Sequence, residues 1–172
     1  MTNALVPGDV REAMLTRIMD VYGSSVLRVC YLYLRDYALA QDAAQTTFMK
    51  VWQSLDTLRS GATEKAWVMR IAVNTCKNML KSRDYRQYAY AVDFSSLPEP
   101  AAEAVLPDDT VLRAVLGLPE KYRMPVVLHY YQSLSLKEAA QVLETPQVTV
   151  RTRLHRARHL LYEQLEGWYF DE

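Results

Sequence analysis

Apolar residues recur every three or four positions along most of this chain, and one acidic, proline-containing stretch interrupts the pattern. One such series begins at Leu15, Ile18 and Tyr22 and continues to Tyr33. This spacing places apolar side chains on one face of an α-helix. Residues 92–109 break it with three prolines and five acidic side chains. The pattern predicts an all-α protein in which a linker joins two small helical modules.

The spacing predicts three helices before the linker, over residues 10–34, 37–55 and 63–87. The second helix has a stripe that is expected to face the core, formed by Ala44, Phe48, Val51 and Leu55. A neighbouring stripe carries Asp42, Gln45 and Met49. The first module is therefore predicted to be a bundle with one polar stripe left for solvent or a partner.

Four more helices are predicted after the linker, over residues 109–116, 120–131, 136–143 and 146–166. Ser135 and Thr145 are expected to accept backbone N–H bonds at the start of the last two helices, as N-cap residues do. Pro125 lies inside the predicted helix 120–131, where a proline is tolerated only near the first turn.

The last two predicted helices and the short break between them have the dimensions of a helix-turn-helix, whose second helix enters the DNA major groove. The core face of that second helix is expected to hold Val150, Leu154, Ala157 and Leu161. The opposite face carries Arg151, Thr152, His155, Arg156 and His159. Arginine can pair with guanine edges or with phosphate. A solvated helix face is the alternative interpretation, but no acidic residue lies between Thr145 and Tyr162.

The charge distribution also favours contact with a polyanion. The net charge is zero, yet residues 77–86 and 151–158 are basic, and residues 91–110 hold five acidic side chains and no basic one. The chain has only five glycines and no phosphate-binding glycine motif. It also shows no cluster of histidines and carboxylates, and the arginines around His155 and His159 would repel a metal cation. We therefore expect no enzyme, cofactor or metal site.

Two cysteines indicate the compartment. Cys30 and Cys76 lie in apolar surroundings with no C-x-x-C motif, which favours packed thiols in a reduced, cytoplasmic protein over redox sensors. Charged residues among the first twenty positions and the lack of a long uncharged apolar run predict neither an export leader nor a membrane span.

Several segments resemble one protein family. Residues 118–128 (LPEKYRMPVVL), 133–140 (SLSLKEAA) and 149–158 (TVRTRLHRAR) resemble the promoter-reading domain four of extracytoplasmic-function bacterial RNA polymerase sigma factors. Residues 42–52 (DAAQTTFMKVW) resemble the polymerase-binding helix of sigma domain two, and residues 66–78 (AWVMRIAVNTCKN) resemble its promoter-melting helix. The segments occur in the family's order.

The resemblance implies sigma domain two over residues 10–90, a linker over 91–110 and domain four over 111–168. The implied partners are core RNA polymerase, through its β′ clamp helices and β flap, promoter DNA and an anti-sigma factor. The implied polymerase-binding residues are Asp42, Gln45, Met49 and Trp52. Those implied for the minus-ten element are Arg59, Gly61, Arg70, Asn74, Lys77, Asn78 and Lys81. Those implied for the minus-thirty-five element are His129, Lys137, Thr149, Arg151, Thr152, His155 and Arg156.

The chain departs from the family pattern at a few positions. Thr46 stands where the family usually has Glu, Glu144 where it usually has Gly, and His129 where many members have Arg. Trp67 either stacks on a base or packs in the core, and Tyr85, Tyr88 and Tyr90 either contact a strand or cover the end of the module.

Other function classes remain alternatives at this stage. One is a stand-alone helix-turn-helix regulator that binds duplex DNA without polymerase, with residues 10–90 as a dimerisation or sensing module. Another is an RNA-processing or nucleotide-modifying enzyme, and a third is a structural adaptor.

Overall fold

The computed structural model describes residues 8–58, 63–82 and 109–169, and within these ranges the regular structure is entirely helical, which confirms the all-α prediction. The chain divides into two compact units, residues 1–79 and 80–172. The helices of the first part are α1 (Gly8–Leu34), α2 (Tyr37–Ser54), a 3₁₀ turn (Leu55–Thr57) and α3 (Glu64–Lys81). The later ones are α4 (Asp109–Gly117), α5 (Glu120–Val126), a π-helical turn (Val127–Tyr131), α6 (Leu136–Val142) and α7 (Gln147–Tyr169). Of the predicted linker over residues 91–110, residues 91–108 lie outside the described residues, and residues 109 and 110 belong to α4.

Side-chain caps fix the starts of three helices. The Asp36 carboxylate accepts from the Leu39 N–H at 2.9 Å at the start of α2, and the Thr63 hydroxyl accepts from the Ala66 N–H at 3.2 Å at the start of α3. Ser135 and Glu138 form a reciprocal capping box at α6, which confirms the predicted Ser135 cap and satisfies two otherwise unpaired donors.

The core stripe of α2 differs from the predicted one. Ala44 and Phe48 are only half-buried, whereas Ala43 and Thr47 are fully buried. Thr47 can occupy this apolar position because its hydroxyl donates to the Ala43 carbonyl at 2.7 Å, so burial leaves no unsatisfied donor. Phe48 is thereby rotated towards the rim of the α1–α2 interface.

An ion pair ties α1 to the start of α3. The guanidinium of Arg17 donates to both carboxylate oxygens of Glu64. This hydrogen bonding lowers the pKa of Glu64 below its ordinary value, although burial acts in the opposite direction. Glu64 also lies in the first turn of α3, where a negative charge is favourable to the helix dipole.

The two cysteines meet in the core of the first unit. Cys30 on α1 and Cys76 on α3 are both free and fully buried. The hydrogen bond with Cys30 and the burial of the side chain raise the pKa of the Cys76 thiol well above its ordinary value. Because the thiolate is the reactive form, this environment supports the interpretation of packed thiols.

Pro125 changes the helix that was predicted over residues 120–131. The proline lies beyond the first turn of α5, and regular α-helix ends at Val126. Proline has no N–H for the helical bond to Lys121 and its ring crowds that carbonyl. The chain continues as the π-helical turn, whose last bond joins the Gln132 N–H to the Val127 carbonyl at 3.1 Å. The prediction of one continuous α-helix was therefore wrong.

A buried arginine holds α4 and α5 together. Arg123 is fully buried, and its guanidinium donates to the carbonyls of Leu116 at 3.2 Å and Leu118 at 2.8 Å. The carbonyls at a helix C-terminus lack intrahelical partners and favour a positive charge. Arg123 thus has a structural role and does not belong to the exposed basic surface.

The turn between α6 and α7 contains a strained residue and differs from the predicted cap. Glu144 has a φ of 50°, in the left-handed region that favours glycine. The Thr145 hydroxyl donates to the Leu143 carbonyl at 3.0 Å. It therefore bonds within the turn and does not cap α7, whose first described bond joins Val150 N–H to the Pro146 carbonyl at 3.1 Å.

Gln132 should be a stabilising substitution site. Its side chain is only 1% exposed, and neither its amide oxygen nor its amide nitrogen has a hydrogen-bond partner among the described residues. An unsatisfied buried polar group costs about 1–3 kcal/mol. We expect Gln132→Met, which is similar in shape, to raise the free energy of unfolding by roughly 1 kcal/mol in urea denaturation. An unchanged or lower value would indicate that the amide is satisfied in solution, for instance by a buried water.

Candidate functional site

The outward face of α7 has the predicted composition. Val150, Leu154 and Ala157 are buried, whereas Leu161 is half-buried. The five residues predicted on the opposite face are all exposed, namely Arg151, Thr152, His155, Arg156 and His159. The helix therefore presents cations and hydrogen-bonding groups to solvent on one side while its other side packs in the second unit.

The histidines of this face interact with each other and with an acid. The rings of His155 and His159 lie 6.5 Å apart in an edge-to-face arrangement, and His159 Nδ1 is 3.7 Å from a carboxylate oxygen of Glu163. Within the described ranges, no group of three or more potential metal ligands is found.

The other three residues predicted to contact the upstream DNA element differ in how far they are exposed. Lys137 is exposed in the first turn of α6, and Thr149 is half-buried. His129 is half-buried, and its Nδ1 is 2.7 Å from the Leu134 carbonyl oxygen. Since a carbonyl only accepts, Nδ1 carries the hydrogen, which leaves Nε2 for an external partner.

The residues predicted to contact the minus-ten element share one face of α3. At 3.6 residues per turn, Arg70, Asn74, Lys77, Asn78 and Lys81 project within an arc of about 100° on α3. Arg70, Asn78 and Lys81 are exposed, whereas Asn74 and Lys77 are half-buried. The predicted Arg59 and Gly61 lie outside the described residues, as do Tyr85, Tyr88 and Tyr90.

Trp67 lies close to this face and is half-buried. It is therefore only partly packed within the core. At helical spacing, Trp67 projects from the same side of α3 as Arg70 and Asn74.

A groove of about 490 Å³ opens between α1 and α2. Its walls are mostly apolar and include Leu15, Met19, Gln45, Phe48, Met49 and Trp52. Three of the four predicted polymerase-binding residues, Gln45, Met49 and Trp52, thus line one cavity. The fourth, Asp42, is exposed one turn before Gln45 on α2.

Arg11 holds Trp52 at this groove. Its guanidinium carbon lies 5.1 Å from the centre of the Trp52 ring, within the range of a cation–π contact. The same guanidinium donates to the Trp52 carbonyl at 2.8 Å and to the Asp56 carboxylate at 2.6 Å. The two hydrogen bonds anchor the guanidinium to the end of α2 and the following 3₁₀ turn, and the cation–π contact places it against the indole.

Sequence reasoning missed four contributors to the groove, namely Leu15, Met19, Phe48 and Gln53. Leu15 was placed on the apolar face of the first predicted helix and Phe48 on the core stripe of the second, whereas Met19 and Gln53 were not singled out. The exposed Met19 lies four positions after Leu15, so the helical spacing itself was the available signal.

Comparison with known proteins identifies the family of this chain. The Sigma-70 region 2 family matches residues 18–86, and Sigma-70 region 4 matches residues 108–161. The sigma factor SigW of Bacillus subtilis, named as an extracytoplasmic-function RNA polymerase sigma factor, is 32% identical over 162 residues. These cover 86% of this chain and 87% of SigW. The chain belongs to the extracytoplasmic-function sigma factors.

A second curated relative agrees with this membership. The extracytoplasmic-function sigma-E factor of Escherichia coli K12 is 30% identical over 139 residues, which cover 73% of each chain. The protein is thus an RNA polymerase sigma factor, a transcription initiation factor, rather than a stand-alone regulator or a structural adaptor.

Solved structures share the fold of this sigma factor. The sigma factor RpoE of Bartonella quintana, crystallised with the anti-sigma factor NepR, has a TM-score of 0.74 at 23% identity. The match covers 91% of this chain and 98% of RpoE. CnrH, crystallised with the cytosolic domain of CnrY, has a TM-score of 0.66 at 21% identity, and the match covers 91% of this chain and 90% of CnrH.

Among the described residues of this sigma factor, no helix combines the length and apolar character that crossing a bilayer requires.

Proposed function

We propose that this sigma factor binds core RNA polymerase through the groove between α1 and α2. A partner helix laid along the groove would cover Met49, whose side chain is 60% exposed, and Phe48. Burial of apolar area drives such helix-in-groove association. Gln45 and Asp42 supply polar contacts at the rim, and Trp52 is a rigid aromatic anchor because Arg11 already holds it. The β′ clamp helices are the partner we assign to this groove, and the β flap is assigned to residues 111–168.

The outward face of α3 is proposed to bind the separated minus-ten strand. Lys77 and Lys81 attract phosphates, and the amides of Asn74 and Asn78 can pair with the edge of an unstacked base. The cations and amides share one helical face. A single strand could therefore follow the helix axis, together with Arg59 and Gly61 of the preceding segment.

Asn74→Ala is expected to reduce promoter opening more than duplex binding. The half-buried amide can position one flipped base, and a hydrogen bond contributes about 0.5–1.5 kcal/mol. The open fraction should therefore fall roughly two- to tenfold, measured by permanganate reactivity of unpaired thymines. Holoenzyme retention on the closed duplex serves as the control. Equal permanganate reactivity in variant and wild type would contradict the assigned role.

The face of α7 is proposed to read the duplex minus-thirty-five element in the major groove. Arg151, Thr152, His155 and Arg156 would contact bases or nearby phosphates, with Lys137, Thr149 and His129 on the flanking backbone. The observation that carries the proposal is the simultaneous exposure of the α7 residues opposite the buried Val150, Leu154 and Ala157. The corresponding domains are residues 10–90 and 111–168, joined by 91–110.

Transcript mapping tests this function directly. The purified protein would be mixed with bacterial core RNA polymerase and genomic DNA fragments, and the transcripts would be sequenced. We expect initiation at discrete sites that share two spaced elements, because two modules on one chain bind best when both elements are correctly placed. Core enzyme alone is the control. Transcription starts without shared elements, from a core that is active with another sigma factor, would contradict the proposal.

An anti-sigma factor is proposed as a further partner. The fold relative RpoE was crystallised with the anti-sigma factor NepR, and the exposed apolar groove between α1 and α2 offers a surface that such a protein could cover in competition with polymerase. We propose the cytoplasm as the site of action, because core RNA polymerase and promoter DNA are the partners assigned to this chain.

A further inference from the structure

Val148 is exposed in a way that the fold does not explain. At 74%, it has the largest exposed fraction of any large apolar side chain in the described part of the chain. It lies in the first turn of α7. A side chain that remains in water gains nothing from burial on folding, and a branched side chain slightly disfavours helix. Stability therefore gives no reason for a valine at this position.

The position of Val148 on α7 is central to the outward face. At 3.6 residues per turn, Val148 and Thr152 project nearly opposite the buried core residue Val150 and its successors. Arg151 and Arg156 project to either side of this central line. Val148 is also near the N-terminal end of the helix, the part of a recognition helix that contacts base edges.

Thr152 extends the apolar character of this line. Its hydroxyl donates to the Val148 carbonyl at 3.0 Å. Because the hydroxyl is engaged with the backbone, Thr152 adds a methyl group to the exposed face one turn after Val148. The centre of the face therefore begins with apolar groups, and arginines flank it.

The chemistry of the major groove restricts what an apolar group can contact there. Phosphates carry negative charge, and most base edges present hydrogen-bond donors and acceptors. The valine side chain has no polar group that could pair with any of these. The C5-methyl group of thymine is the apolar group that the groove presents. We propose that Val148 is a specificity-determining residue, which recognises a thymine of the upstream promoter element by contact with its C5-methyl group. The proposal rests on the promoter-reading role of α7.

Uracil replacement isolates this contact, because it removes only the methyl group. Once the promoter has been mapped, each thymine of the upstream element is replaced singly by deoxyuridine. Competition binding then compares holoenzymes carrying the wild-type chain or Val148→Ala. For the wild type, we expect about fourfold weaker binding at one or two positions, the factor that corresponds to burial of about one methylene group. Val148→Ala should bind thymine and uracil fragments equally well at those positions.

Val10→Ala is the matched control, because Val10 is also an exposed valine in the first turn of a helix, at 52% exposure on α1. It should retain the full preference for thymine. Two results would overturn the proposal, namely a wild type that is insensitive to every uracil or a Val148→Ala variant that keeps the preference. Weaker assembly with core polymerase at unchanged thymine preference would instead assign Val148 to a protein contact. These outcomes differ from failure of the promoter-reading role itself, in which the wild type would not distinguish the upstream element from unrelated sequence.

Discussion

Replacing Arg151 and Arg156 together with alanine is expected to weaken holoenzyme binding to the upstream promoter element by at least roughly thirtyfold. Both side chains are exposed on α7 and flank the centre of its outward face. Each arginine that pairs with a guanine edge contributes about 1–3 kcal/mol, so the double variant should lose about 2–6 kcal/mol. Footprinting should show lost protection upstream while downstream contacts remain at high protein concentration.

A charge-matched variant separates specific contacts from general attraction. The double variant Arg113→Ala, Lys121→Ala also removes two positive charges, but from exposed positions on α4 and α5. It should bind the promoter within about twofold of the wild type if the α7 arginines act by direct contact. If the α7 arginines contact only phosphates, binding to all sequences should fall equally and the salt dependence should decrease by about two ions. Unchanged upstream protection in the α7 variant would refute the assigned orientation of this helix.

Met49→Asp is expected to abolish most binding to core RNA polymerase. Met49 is 60% exposed at the groove between α1 and α2, so the free protein tolerates a charge there. In the complex, the variant would lose the burial of an apolar side chain, about 1.5–3 kcal/mol, and would bury an unpaired carboxylate. We expect affinity for core enzyme to fall at least about a hundredfold in a fluorescence titration.

Val21→Asp provides the control for this substitution. Val21 is an exposed apolar residue on α1 with a similar exposed fraction, 57%, and it does not line the groove. Its replacement introduces the same charge into the same unit and should leave core binding within about twofold of the wild type. Equal losses in the two variants would indicate a general effect of charge and would contradict the groove as the polymerase site. Thermal unfolding of both proteins shows that the comparison is between folded chains.

Some features of the site follow from the local sequence and others do not. Helical spacing correctly divided α7 into a buried and an exposed face, since both faces repeat over several turns and the side-chain period is fixed by the backbone. The same reasoning placed Phe48 in the core, and this was wrong. The hydroxyl of Thr47 finds a backbone acceptor within its own helix, so a polar residue could occupy the core position and Phe48 could line the groove.

The sequence by itself determined the helical class and the basic face of α7, together with the motifs that indicated the family, because these depend on residues close together in the chain. Only the tertiary structure revealed the cavity between α1 and α2, the position of Trp52 beneath Arg11, and the buried contact between Cys30 and Cys76. These features join residues far apart in the sequence. Their geometry depends on how whole helices pack, and helical periodicity carries no information about which face meets which neighbour.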